Sequence, residues 1–133
     1  MNRSKARDLA FKLLYQIEIQ KELNNEDIEL FFENNDINSE EAKGYIKDIV
    51  NGINLNSKDI IELISKNLKD DWNIERVSKV NLALLKLAIY EIKYSKLPYK
   101  VVINEVVELA KTYGEETSKT FVNGILASVV KED

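Results

Sequence analysis

Apolar residues recur at helical spacing along almost the whole of this chain, and very little interrupts them: 133 residues contain one proline and four glycines. That pattern excludes a fold built on strands and tight hairpin turns and predicts an all-α protein of about seven helices. In the first helix Ala6, Leu9, Ala10, Leu13, Leu14 and Ile17 keep the i, i+3, i+4, i+7 rule, giving one apolar stripe under a charged face that fades near Asn24 and Asn25. A short second helix holds Ile28, Phe31 and Phe32 and stops at Asn34, Asn35 and Asp36, whose side chains compete for backbone hydrogen bonds. The third opens at Asn38 or Ser39, with Glu40 and Glu41 in its positive first turn. A fourth carries Ile60, Ile61, Ile64 and Leu68 and ends around residues 69–73, and a long fifth runs from about Glu75 to Tyr94 as the central, most buried element.

Pro98 stands where a helix start tolerates a missing N–H, and Gly114 is placed to close that sixth helix in a left-handed cap. Thr117 or Ser118 can cap the seventh, which presents Phe121, Ile125, Leu126 and Val129. Polar residues stand inside the apolar runs of both last helices. Asn104 and Glu105 interrupt one, Asn123 and Gly124 the other, and Asn and Gly weaken a helix interior. These four read as internal ties between helices, with Gly124 allowing close approach. Short connections throughout favour antiparallel neighbours in one unit.

The chemistry available is narrow. Cysteine and histidine are both absent, which removes thiol and imidazole nucleophiles and the usual structural zinc sites. Glu105 and Glu108 lie three apart, but with no third ligand they do not make a metal site; no catalytic residue and no cofactor is expected. The start of the chain has no apolar signal core, and no run is apolar enough for a membrane span, so a cytoplasmic location is expected. The net charge of −4 hides an uneven distribution. Arg3, Lys5, Arg7 and Lys12 dominate the first 16 residues, whereas acidic groups dominate 22–48, so a polyanion could still dock at the N terminus.

Three ordered segments carry a resemblance. Ala6-Arg7 followed by Ala10, Leu14 and Tyr15-Gln16 is the first. Trp72, Ile74, Arg76 and Val77 with the run Leu84 to Glu91 is the second, and Pro98-Tyr99-Lys100 through Lys111 with Phe121-Val122-Asn123-Gly124-Ile125-Leu126 is the third. Together they resemble the NusB family of bacterial transcription antitermination factors. The resemblance implies a single domain over 1–133, made of an N-terminal helical half (about 1–70) and a C-terminal half (about 71–133). It also implies a non-enzymatic role, in which the protein binds boxA-like single-stranded RNA together with the ribosomal protein NusE and through them serves the RNA polymerase elongation complex during ribosomal RNA synthesis. The same fold resembles the N-terminal domain of certain RNA methyltransferases, a reading that applies only if the chain is a fragment, since 133 residues leave no room for a cofactor-binding half.

On this reading the RNA contacts fall on Arg3, Lys5, Arg7, Lys119 and Phe121. The cations would neutralise phosphates, and the Phe121 ring would stack a base for roughly 1–3 kcal/mol, although an aromatic at helical spacing with Ile125 is more often core. Tyr15, Glu18, Glu75 and Tyr90 are the expected partner surface, each tyrosine being equally compatible with a core position. Asn81 and Lys86 depart from the family's charged pattern in the central helix, which bears on an electrostatic contact to NusE. A helical protein-interaction module without RNA binding is the alternative.

Overall fold

A computed structural model describes residues 1–69 and 71–131. Seven α-helices and no strand occur among these residues: α1 Arg3–Gln20, α2 Asn25–Asn34, α3 Glu40–Leu55, α4 Ser57–Lys66, α5 Lys79–Ile89, α6 Tyr99–Tyr113 and α7 Ser118–Lys131. Local chemistry sets most of the boundaries. The Asn2 side chain accepts the Lys5 N–H to start α1. Asn24 and Asp27 form a reciprocal capping box on α2, and Ser39 caps α3 as its sequence position predicts. At the end of α1, Lys21 takes a left-handed conformation (φ 74°) and returns its N–H to the Ile17 carbonyl, which turns the chain sharply toward α2.

The expected stripes are buried. Leu9, Ala10, Leu13 and Leu14 of α1, Ile28, Phe31 and Phe32 of α2, and Ile46, Ile49 and Ile53 of α3 join Leu84, Leu87 and Ala88 of α5 and Val102, Val106, Leu126 and Val129 of α6 and α7 in one continuous core. Each buried Leu, Ile or Phe contributes about 1.5–3 kcal/mol relative to exposure. α5 is the central element, packed against α1, α4, α6 and α7.

Four details differ from the sequence reading. The long fifth helix is three pieces: a 3₁₀ turn Ile74–Arg76, then α5, then a π-helical turn Tyr90–Tyr94. Tyr90, Glu91 and Ile92 of the π turn are all buried, continuing the buried run that begins at Leu87. Gly114 is extended, not left-handed (φ −90°), and its missing Cβ matters for space: an added one would sit 2.5 Å from Ser118 and 2.8 Å from the Ala110 carbonyl oxygen. Ser118 opens α7 but its hydroxyl accepts the Glu115 N–H. Finally, Asn104, Asn123 and Gly124 are exposed, and no atom lies within 4 Å of a Cβ built on Gly124. They tie nothing together. Of the four polar residues only Glu105 is a tie, because its position faces α1 whereas the other three face outward. The division expected at residue 70 falls on a position outside the described residues.

Candidate functional site

The N-terminal turn of α1 is fastened to the rest of the molecule by a buried charge cluster. Arg7 Nε donates to Glu91 Oε1 at 2.6 Å and Nη2 to Glu91 Oε2 at 3.3 Å, a two-pronged contact, while Nη1 reaches Glu105 at 3.1 Å. Tyr45 of α3 donates its hydroxyl to Glu91 at 2.9 Å, and the Ser4 hydroxyl donates to Glu105. Burial pulls the Arg7 guanidinium down, but the hydrogen bond and charge of Glu91 outweigh it and leave the pKa above its ordinary value. Burial, then the Glu91 charge, pushes the Tyr45 phenol well up. Four elements meet in this cluster, and all its charges are satisfied, as buried ions require.

Arg7 is therefore turned inward, apart from the exposed cations of this end. It is 3% exposed, and its i, i+3, i+4, i+7 partners are Ala10, Phe11 and Leu14, which marks it as a member of the apolar stripe. The exposed cations of this end are Arg3, whose guanidinium lies 4.7 Å from the Tyr45 ring centroid, and Lys5. Lys12 joins them: it sits 5.7 Å from the Tyr113 ring and 3.5 Å from Asp8, and Tyr113 donates its hydroxyl to Asp8 at 2.8 Å. Tyr113 ends α6, five residues before α7 begins, so the same edge of the molecule continues to exposed Lys119. Phe121 is half-buried and leans on Trp72, with ring centroids 5.9 Å apart. Trp72 is 45% exposed, an open aromatic beside Phe121 that the sequence pattern did not single out for a surface role.

The residues expected at a protein partner separate. Glu18 and Glu75 line one cleft of about 750 Å³ between the ends of α1 and α3 and the start of α5. Glu18 pairs there with Lys86 at 2.5 Å, so Lys86 is already engaged within the chain. Lys21 and Lys79 stand on the same cleft, and contact with Lys21 holds the Lys79 ammonium below its ordinary pKa. Tyr15 is half-buried at the end of a stacked series, 6.1 Å from Phe11, which lies 5.1 Å from Tyr113. Tyr90 is not a surface residue. It is 7% exposed, its hydroxyl donates to Asp48 at 3.3 Å, and its ring fills the space left by Gly52. Asn81 Oδ1 is buried with no hydrogen-bond partner. No group of three potential metal ligands occurs among the described residues, and no helix there is long and apolar enough to cross a membrane.

Comparison with known proteins agrees with this architecture along the whole chain. The transcription antitermination protein NusB of Acetivibrio thermocellus is 47% identical over 132 residues, covering 98% of this chain and 90% of the relative. The structure of T. maritima NusB superimposes with a TM-score of 0.87 at 36% identity, covering 99% of this chain and 92% of that one. A structure of the antitermination factors NusB and NusE in complex with dsRNA superimposes with a TM-score of 0.88 at 29% identity, over the full length of both chains. Residues 4–131 match the NusB family, and with sequence, fold and length in agreement, the chain belongs to that family.

Proposed function

We propose that this protein is a non-enzymatic transcription antitermination factor that works in the cytoplasm, holding boxA-like single-stranded RNA at its α1–α7 edge and a NusE protein at the cleft beside α5. The observation that carries the reading is the separation of Arg3 and Lys5 from Arg7: the buried pair anchors the helix, and the two outer cations stay exposed on a fixed frame. Lys12, Lys119 and the Trp72–Phe121 pair extend that frame, and an array of cations with aromatic faces suits a single strand with unstacked bases. At the cleft, Lys21 and Lys79 crowd each other, an arrangement that an acidic group on a partner would relieve. Glu18, Glu75 and Tyr15 complete the proposed partner surface. We take the chain as one domain over 1–133, supported by the continuity of its core.

The test is a titration of labelled boxA-like RNA with and without NusE at two salt concentrations, with a duplex of the same sequence as competitor. Affinity should rise with NusE and fall with salt, because each neutralised phosphate releases counterions. Charge reversal at Arg3, Lys5 and Lys119 should weaken binding at least tenfold and flatten the salt slope. Failure to bind at low salt, alone or with NusE, would sink the reading. Wild-type affinity in the charge-reversed protein would favour the alternative of a protein-interaction module, which the small number of exposed cations left after the loss of Arg7 supports.

A further inference from the structure

A shallow groove of about 280 Å³ runs between α6 and α7, lined by Tyr99, Lys100, Ile103, Asn104, Val107 and Asn123. We propose that it is a nucleotide subsite: a pocket that takes one unstacked base of the bound RNA and reads its edge through the two asparagine amides. The inference rests on the RNA-binding reading above and adds to it a site for base recognition.

The chemistry of the lining fits a base. Ile103 and Val107 are half-buried and form an apolar floor, and the Tyr99 ring, 45% exposed, stands at one end as a stacking face. Asn104 and Asn123 face the groove from opposite helices, and neither amide has a hydrogen-bond partner among the described residues. An amide offers a donor pair and an acceptor together, which is the pattern a base edge complements. Lys100 supplies a cation for the attached phosphate, and no carboxylate lines the groove although the protein is acidic overall.

The groove is also well placed. Glu105, held by Ser4 and Arg7 of α1, faces away from the groove across α6, so the groove opens on the α7 side of that helix. Asn123 is one turn beyond Lys119 on the same face of α7. The groove thus adjoins the Lys119 end of the edge proposed to hold the strand. Both asparagines are exposed at mid-helix, where Asn lowers helix stability relative to Ala, and neither contributes to the core.

The experiment compares wild type with the N104A/N123A double variant, using a fluorescein-labelled boxA-like single-stranded RNA and a panel of the same RNA substituted at each base in turn. Far-UV circular dichroism and thermal melting should be unchanged or improved. The variant should bind the parent RNA about tenfold more weakly, the equivalent of about 1.4 kcal/mol, with an unchanged salt slope because no charge is lost. It should also lose discrimination at one position of the panel, and Y99F should retain affinity that Y99A loses. Wild-type affinity and base preference in the double variant, alongside weakened binding by the charge-reversed protein, would overturn the subsite and leave RNA binding standing. Weaker binding with an intact base profile, or a loss of NusE affinity only, would overturn it as well. Absence of RNA binding by the wild type would remove both.

Discussion

Removing the Arg7 guanidinium while leaving Glu91 in place strands a carboxylate that is 1% exposed. Breaking a buried pair from one side costs about 3–5 kcal/mol, so Arg7→Leu should lower the urea midpoint by that equivalent, whereas the R7L/E91L double variant should recover most of it. Arg7→Lys should fall between, since an ammonium cannot make the two-pronged contact. These residues also mark a limit of the sequence. Charge at the N terminus and the one-turn spacing from Arg3 suggest an exposed phosphate ligand. The stronger signal is periodicity: Arg7 shares its stripe with Ala10, Phe11 and Leu14, and Glu91 shares one with Leu84, Leu87 and Ala88. Opposite charges placed on two core stripes can be buried only against each other. The asparagines err in the opposite sense, because an interruption in an apolar run suggests an inward-facing group, whereas Asn104 and Asn123 lie on the open sides of their helices.

Three glycines stand inside helices, and helix propensity alone predicts that replacing any of them with alanine stabilises by about 1 kcal/mol. The structure separates them. Gly44 and Gly124 have open space where a Cβ would go, but at Gly52 it would lie 2.2 Å from the Tyr90 ring. Gly44→Ala and Gly124→Ala should therefore raise the urea midpoint, while Gly52→Ala should lower it by the equivalent of about 1–3 kcal/mol, the usual cost of overpacking. A stabilised Gly52→Ala would show that α3 and the π turn pack less tightly than described. At this scale the sequence was most informative where side chains act locally. The cap at Ser39 and the stripes of α1 to α3 follow from spacing and capping chemistry, whereas Asn24, read only as the place where the first helix fades, caps α2. The split of the fifth helix is not legible in the periodicity: the 3₁₀ turn ends where Ser78 caps α5 by accepting the Asn81 N–H, a local signal that the apolar spacing masks, and the π turn holds Glu91 against Arg7.

For the molecule as a whole, alkaline pH is the informative variable. The phenols of Tyr45, Tyr90 and Tyr113 are all held above their ordinary pKa, by burial first and then by the neighbouring carboxylates Glu91, Asp48 and Asp8. A folded pKa raised above the unfolded one contributes stability that is complete below the unfolded value, near pH 10, and is lost as pH rises toward the folded value. Urea midpoints should accordingly be level through neutral pH and drop above about pH 10, with the ring NMR signals of Tyr45, Tyr90 and Tyr113 shifting together with unfolding and read apart from those of exposed Tyr94 and Tyr99; ionisation of the first three well before unfolding would contradict the assignment. Fold class and family were legible across the whole chain because periodicity and the three ordered segments are spread along it. The site was legible only in outline, since exposure depends on which helix covers which. The buried cluster also imposes an order in time. Arg7 is made 84 residues before Glu91 and 98 before Glu105. At about 5–20 residues per second, a ribosome leaves Arg7 without its charge partners for roughly 5–20 s, so the first helix synthesised is among the last to have its charges paired, and the edge proposed to bind RNA takes its shape only once α6 and α7 have emerged.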